Sequence, residues 1–183
     1  MTELALHILD LAQNSIRANA RLIEIFIMEN PDADYYRIVI KDDGDGMTPE
    51  TLQKVTDPFF TSRTTRKVGL GIPMLKQNAE QCNGSFQIES TPGAGTKLAA
   101  TFGYHHIDRP PLGDITGTIL ILLANETDTD VLYRHQTLLG EFNFDSREIK
   151  KILEGTPLVT KEIREFLKSM IEENLDQIQI AKE

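Results

Sequence analysis

The segment at residues 42–47, Asp-Asp-Gly-Asp-Gly-Met, constrains the possible folds of this chain more than any other feature. It directly follows residues 36–41, which have the composition of a strand. Asp42 places a carboxylate at the end of that strand, and Gly44 and Gly46 allow the backbone to turn tightly. The pattern predicts a strand that ends in a polar, glycine-rich loop.

A second polar element lies near the start of the chain, in a pattern typical of an amphipathic helix. Asp10 and Asn14 are four residues apart, so they share one helix face, and Arg17 follows on the same side. The amide oxygen of Asn14 is a suitable Mg²⁺ ligand, and Arg17 can contact a phosphate. Asp10 can act as a general base. Taken alone, the same residues are equally typical of a solvated helix face.

A third element combines basic residues with a helix start. Arg63, Arg66 and Lys67 lie in a loop-like stretch, and Gly69 and Gly71 stand just before a predicted helix. Free N–H groups and the helix dipole favour anions at such a position, and the basic loop can close over phosphates as a lid. Each feature is weak alone, because basic loops are usually just solvated.

The fourth element is the turn Gly-Ala-Gly-Thr, which ends at Thr96. Its hydroxyl can anchor the edge of a base whose exocyclic amine is bound by Asp42, since an ionised carboxylate only accepts hydrogen bonds. Gly44 and Gly46 would leave room for the base to approach. Four such elements in this order predict an ATP-binding pocket.

Composition excludes several other classes. The chain has 183 residues, of which 40% are hydrophobic and 26% charged, as in folded globular proteins. Its net charge of -9 argues against nucleic acid as a partner. The single cysteine, Cys82, excludes an internal disulfide and a thiolate zinc cluster. The acidic start is unlike a signal peptide, and no apolar run approaches the ~20 residues of a membrane span. We expect a soluble, cytoplasmic protein without a membrane partner.

The hydrophobic periodicity predicts an α+β fold in which a sheet is covered on one face by helices. The predicted helices span residues 4–19 and 71–83, with a short helix starting at 48–50, and the predicted strands span 22–29, 35–41, 85–90 and 96–102.

A proline- and glycine-containing segment at residues 109–113 predicts a boundary between an ATP-binding domain at 1–103 and an α+β extension at 104–183. In the extension the pattern predicts a strand pair, a short helix and a final amphipathic helix, over residues 116–124, 130–137, 145–154 and 160–178. The apolar residues predicted on one side of the last helix are Ile163, Phe166, Leu167, Met170, Ile171, Leu175 and Ile178. That stripe can pack on the core or pair with a second chain.

These motifs resemble those of the GHKL superfamily, which includes gyrase B, the heat-shock chaperone ATPases, histidine kinases and MutL. Residues 9–15 resemble its N box, 42–47 its G1 box, 57–62 the F box of histidine kinases, 69–72 its G2 box and 93–96 its last glycine motif. The resemblance covers residues 3–103 and is closest to the histidine kinase catalytic ATP-binding domain.

The resemblance implies the Bergerat fold, a two-layer α/β sandwich with a mixed sheet, and ATP held with Mg²⁺ under a flexible lid. The base position is the shorter Asp10, where most ATPase members have Glu, and Lys67 replaces the glycine that usually opens the G2 box. The residues expected to contact the nucleotide are Asn14, Arg17, Asp42, Gly44, Gly46, Met47, Arg66, Lys67, Gly69, Leu70, Gly71 and Thr96, with Asp10 as catalytic base and Asn14 as magnesium ligand.

Three functions are consistent with this pattern. The first is a kinase or ATP-dependent regulator of a partner protein in signalling. The analogy is with the anti-sigma Ser/Thr kinases, since we expect this protein, like them, to lack the helical hairpin that carries a phosphoacceptor histidine. The second is a MutL-like switch in which slow hydrolysis drives dimerisation. The third is a non-catalytic ATP or ADP sensor, favoured by the short Asp10. His7, His105, His106 and His135 are expected to be structural or exposed.

Overall fold

We analysed a computed structural model of the chain, which describes residues 3–56, 71–125, 127–154, 158 and 160–179. The elements are, in chain order, α1 (Leu4–Arg17), β1 (Leu22–Asn30), β2 (Tyr35–Asp42), α2 (Pro49–Val55), α3 (Gly71–Gln81), β3 (Ser85–Thr91), β4 (Gly95–Phe102), α4 (Ile115–Leu123), β5 (Asp130–Gln136), β6 (Glu141–Asp145), α5 (Ser146–Ile152) and α6 (Lys161–Ile178).

The six strands form one mixed sheet in the order β3-β4-β2-β1-β5-β6. All neighbouring strands are antiparallel except β1 and β5, which run parallel. In β1 the buried residues Ile23, Ile25 and Ile27 alternate with half-exposed ones, so the strand presents one apolar face. Helices α1, α3, α4 and α6 pack against the sheet or against one another. This confirms the predicted α+β fold of Bergerat type.

Helix α1 lies at the centre of the helical layer, and its buried residues recur at helical spacing. Leu4, Ile8 and Leu11 are almost completely buried, and each contributes about 1.5–3 kcal/mol of hydrophobic stabilisation. The first amide groups of α1, which have no partner within the helix, donate to the carbonyls of Pro111 and Leu112 at 2.9 and 2.8 Å. The segment that follows β4 therefore anchors the start of α1.

The prediction of a strand over residues 116–124 was wrong, because these residues form helix α4. The Asp114 side chain caps this helix by accepting a hydrogen bond from the Gly117 amide at 2.7 Å. The segment is rich in Ile and Thr, whose β-branched side chains favour strands in isolation. Here α4 is buried against α1, β5 and α6, and burial on several sides overrides that local preference.

The rest of the extension completes the sheet. The strand predicted at 130–137 is β5, but it pairs with β1 and with β6, a strand that the sequence analysis did not identify. The last helix, α6, occurs as predicted, with Leu167, Ile171 and Ile178 buried. Phe166, predicted on the same apolar side, is instead 66% exposed. Among the described residues no helix combines the length and apolarity needed to cross a membrane.

Candidate nucleotide-binding site

The carboxylate of Asp42 lies at the end of β2 and is held by three donors. The Ser15 hydroxyl donates to Oδ2 at 2.7 Å, and the Gly44 and Thr96 amides donate to Oδ1 at 3.0 and 3.3 Å. A carboxylate offers about four acceptor positions, so these contacts fix its orientation and leave capacity for a further donor. An exocyclic amine of a base is a donor of that kind.

Ser15 is a site residue that the sequence analysis did not select. It lies on the inner side of α1, where it is 5% exposed, and its hydroxyl reaches across to Asp42. A signal existed: a hydroxyl at a buried position of an amphipathic helix must have a hydrogen-bonding partner. The sequence could not identify that partner as the carboxylate of Asp42.

The two glycines of the loop after β2 are required by close packing against neighbouring backbone, in addition to the roles predicted for them. A Cβ atom at Gly44 would lie 2.6 Å from the Ala18 carbonyl oxygen, and one at Gly46 would lie 2.0 Å from that of Thr91. Gly46 also has a φ of 66°. Both residues therefore allow the loop to pack against neighbouring backbone, rather than simply leaving space for a ligand.

Ser90 joins the loop after β2 to the turn before β4, and it too was missed. Its hydroxyl accepts from the Met47 amide at 2.8 Å and donates to the Gly95 carbonyl at 3.0 Å. The Thr96 hydroxyl lies 2.9 Å from the Ser90 hydroxyl oxygen, and either hydroxyl can be the donor. Thr96, predicted to anchor a base through its hydroxyl, therefore already shares a hydrogen bond with Ser90.

Together these contacts define what we call the Asp42 cluster: Ser15, Asp42, Gly44, Gly46, Met47, Ser90, Gly95 and Thr96. Further backbone bonds connect it to the end of α1, since the Asp45 amide donates to the Ala18 carbonyl at 2.7 Å and the Gly93 amide donates to the Asp45 carbonyl at 2.7 Å. Three motifs that are far apart in sequence are thereby joined in one hydrogen-bonded unit.

The polar face of α1 is less constrained. Arg17 donates from Nη1 to Asn14 Oδ1 at 2.7 Å. Asp10 lies against the first residue of α3, where a Cβ atom at Gly71 would be only 2.0 Å from Asp10 Oδ2. That oxygen is buried and has no hydrogen-bonding partner among the described residues. The predicted base and metal ligand therefore lie one turn apart on α1, as the spacing indicated.

His7 stands one turn before Asp10 and is completely buried. Its Nε2 lies 3.3 Å from the Asn78 side-chain nitrogen. Burial, as the main cause, lowers the pKa of His7 below the ordinary value of 6.5. The neutral imidazole thus forms part of the contact between α1 and α3.

Several predicted residues cannot be placed. The residues outside the described part of the chain are Arg63, Arg66, Lys67, Gly69 and Leu70, together with residues 57–62, which resemble the F box.

Two open depressions, of about 310 and 350 Å³, lie along α4 and α6 and share Arg164. Neither contains a residue of the Asp42 cluster, and the hydrogen bonding rather than the cavity size identifies the candidate site.

Comparisons with known proteins agree with this geometry. Residues 2–105 match the family described as histidine kinase-, DNA gyrase B- and HSP90-like ATPase. Over 90 residues the chain is 37% identical to the sensor protein kinase FleS of Pseudomonas aeruginosa, covering 49% of this chain and 22% of that protein. Over 111 residues it is 29% identical to the non-motile and phage-resistance protein of Caulobacter vibrioides, covering 56% of this chain and 13% of that protein.

The chain therefore spans less than a quarter of the length of these two curated relatives. Among solved structures, the N-terminal domain of a DNA repair protein superposes with a TM-score of 0.53 and 16% identity, covering 79% of this chain and 52% of that one. This likeness concerns the fold. The predicted resemblance is confirmed by the match over residues 2–105, and the chain belongs to the histidine kinase-, DNA gyrase B- and HSP90-like ATPase family, with a domain similar to the ATP-binding domains of histidine kinases.

Proposed function

We propose that the chain binds Mg-ATP and acts as a kinase or an ATP-dependent regulator of a partner protein in signalling. The observation that carries this proposal is the carboxylate of Asp42, which three donors orient and which keeps an unused acceptor position. In the proposed complex that position accepts the exocyclic amine of adenine, and the Thr96 hydroxyl oxygen lies at the same end of the pocket.

The phosphate end is assigned to α1 and to the start of α3. Arg17 would contact a phosphate, and Gly71 begins a helix of 11 residues whose free amide groups favour anions. The remaining proposed phosphate ligands, Arg66, Lys67, Gly69 and Leu70, are placed there on the motif alone.

Magnesium fits the same face of α1. The described residues contain no cluster of three or more His, Cys, Asp or Glu that could hold a metal ion by itself. Mg²⁺ does not require one, since it usually keeps several waters and takes one or two protein oxygens together with substrate phosphates. Asn14 Oδ1 is the oxygen that would bind it, and the metal would neutralise charge on the phosphates during transfer.

One observation favours the sensor as a second candidate. Asp10 Oδ2 is buried against Gly71, so this oxygen cannot reach an acceptor hydroxyl or a water unless the start of α3 moves, and only the other carboxylate oxygen is left to act as the base. A chain in which Asp10 does not act as a base would bind ATP without turnover.

We propose residues 1–103 as the ATP-binding domain and residues 104–183 as an extension that contributes to contacts with a protein partner or with a second copy. The extension supplies β5 and β6 to the sheet, and its helices α4 and α6 form part of the helical layer.

The first experiment is a calorimetric titration of ATP, with and without Mg²⁺, into wild type and Asp42→Asn. An amide presents N–H groups where the base needs an acceptor, so we expect an affinity loss of about 10- to 100-fold. Asp43→Asn is the matched control: Asp43 accepts from the Arg21 and Leu22 amides, both at 2.8 Å, and an Asn oxygen can do the same. Equal loss in both variants, or no binding by wild type, would contradict the proposal.

A second experiment separates kinase from sensor. Wild type and Asp10→Asn are incubated with ATP labelled at the γ-phosphate, together with proteins that co-purify with the chain. For a kinase, label transfer should fall by about 100-fold or more in the variant, while ATP affinity changes little. Binding without transfer or phosphate release in wild type would select the sensor, and release that rises with protein concentration would select the dimerisation switch.

A further inference from the structure

The contact between Arg17 and Asn14 concerns the one side-chain oxygen that we assign to magnesium. Arg17 is the last residue of α1, and its Nη1 donates to Asn14 Oδ1 at 2.7 Å. Without nucleotide, a cationic group of the chain itself therefore occupies a position on this oxygen. The inference below rests on the proposed function of the same site.

Arg17 has little else to hold it. No acidic side chain among the described residues forms an ion pair with it, although a guanidinium has five N–H donors. The residue is exposed, so its other donors face water or an incoming anion. A phosphate can outcompete the neutral Asn14 carbonyl, because it is oppositely charged to the guanidinium and can accept two parallel hydrogen bonds from it.

Arg17 and a metal ion cannot share Asn14 Oδ1 without cost. The guanidinium nitrogen lies 2.7 Å from this oxygen. A metal ion bound to the same oxygen would place a second positive charge beside the guanidinium, and like charges so close to each other repel. Binding of the metal to Asn14 is favourable only after Arg17 has moved to another acceptor.

We infer that Arg17 and Mg²⁺ exchange on Asn14: without nucleotide, Arg17 caps the magnesium ligand, and when Mg-ATP enters, Arg17 transfers to a phosphate and releases the oxygen to the metal. Arg17 is thus a positioning residue that couples metal binding to nucleotide binding. A divalent ion alone finds Asn14 Oδ1 occupied by Arg17. A metal bound to a triphosphate arrives with a phosphate, which accepts hydrogen bonds from Arg17 and draws it away from Asn14.

The test measures how far Mg²⁺ improves ATP affinity, expressed as the ratio of Kd without metal to Kd with metal, in wild type and Arg17→Met. The contact of Arg17 with a phosphate is lost both with and without metal, so its loss cancels in the ratio. What remains is that a positive group no longer competes with the metal for Asn14. We expect the ratio to rise at least fivefold. Arg164→Met, which removes an exposed arginine on α6, should leave the ratio as in wild type.

Loss of a positive charge near the phosphates could raise the same ratio without any exchange on Asn14. A double-mutant cycle distinguishes this charge effect from the exchange. In an Asn14→Ala background there is no oxygen to release, so Arg17→Met should change the ratio by less than twofold. The metal is followed directly by the electron paramagnetic resonance of Mn²⁺ with a non-hydrolysable ATP analogue, and thermal melting verifies folding.

The outcomes separate the two proposals. If wild type binds ATP but Arg17→Met leaves the ratio unchanged, or changes it equally with and without Asn14, the exchange is wrong while the proposed function stands. If wild type binds no ATP, the proposed function itself fails, and the exchange fails with it.

Discussion

The Asp42 cluster and the outward face of α1 belong to one candidate pocket, but they differ in how their polar side chains are held. Asp42 receives three hydrogen bonds from three separate segments of the chain. On α1, Asn14 is held by one exposed side chain, and no other residue in the described part of the chain forms a hydrogen bond with Asp10 Oδ2. The first region is fixed before a ligand arrives, whereas the second has bonds still to be made or exchanged.

This difference matches the two tasks that we propose for the pocket. Recognition of a base requires donors and acceptors in a fixed geometry, because a polar group left unpaired is costly. Handling of phosphates and metal requires side chains that change partners as the reaction proceeds. Substitutions in the Asp42 cluster should therefore affect stability and affinity together, and those on α1 should affect them separately.

The largest expected effect is on the packing of the fixed region. Gly46→Ala places a Cβ atom 2.0 Å from the Thr91 carbonyl oxygen in a residue whose φ is 66°. We expect the free energy of unfolding, measured by urea denaturation, to fall by about 3 kcal/mol. Gly93→Ala is the matched control, since Gly93 has a φ of 75° but nothing within 4 Å of its Cβ position. A loss as large in Gly93→Ala would show that backbone conformation, and not packing between the loops, requires the glycine.

A smaller effect is expected from the hydroxyl that orients Asp42. Ser15→Ala should lower ATP affinity about 3- to 10-fold, since a hydrogen bond to a charged group contributes about 1.5–3 kcal/mol and part of that is recovered by relaxation. Ser146→Ala removes a comparable contact elsewhere, because the buried Ser146 hydroxyl donates to Asp130 Oδ1 at 2.8 Å. Calorimetry should find ATP affinity unchanged in Ser146→Ala. If both variants lose affinity equally, general destabilisation is the cause and Asp42 needs no orienting partner.

The smallest expected effect concerns the pH dependence of stability beside Asp10. Burial lowers the pKa of His7, so between its folded value and 6.5 the unfolded chain binds more protons than the folded one. The contribution of neutral His7 to the free energy of unfolding is fully present above pH 6.5 and is lost as the pH falls below that value. His7→Gln should therefore flatten the fall in unfolding free energy between pH 7 and pH 5. His105→Gln, at an exposed position, should retain the wild-type slope.

The sequence was more informative about site residues within one motif than about the distant residues to which they hydrogen-bond. Asp42, Gly44 and Gly46 follow one strand, and local backbone geometry brings them together. Ser15 and Ser90 were missed because their partners lie 27 and 43 positions away, at distances that no periodicity encodes. The packing of the glycines against other loops was not predicted, since a neighbouring loop cannot be seen in a local pattern.

The errors in the extension have a related cause. Helix α4 has the composition of a buried strand, and only its neighbours decide which structure such a short apolar segment adopts. Strand β6 has five residues with just two buried aromatic positions, Phe142 and Phe144, which is too short a pattern to distinguish from a loop. The amphipathic helix α6 was predicted because its pattern extends over five turns.

The parallel pairing of β1 with β5 has a consequence for how the chain acquires its structure. Leu22 pairs with Asp130, so closing this contact joins positions on the order of 100 residues apart, which slows folding. During synthesis β1 leaves the ribosome before β5, and one of its edges stays uncovered until β5 follows. That exposed edge can pair with the same segment of a neighbouring nascent chain. The interval between the synthesis of β1 and that of β5 therefore carries a risk of aggregation.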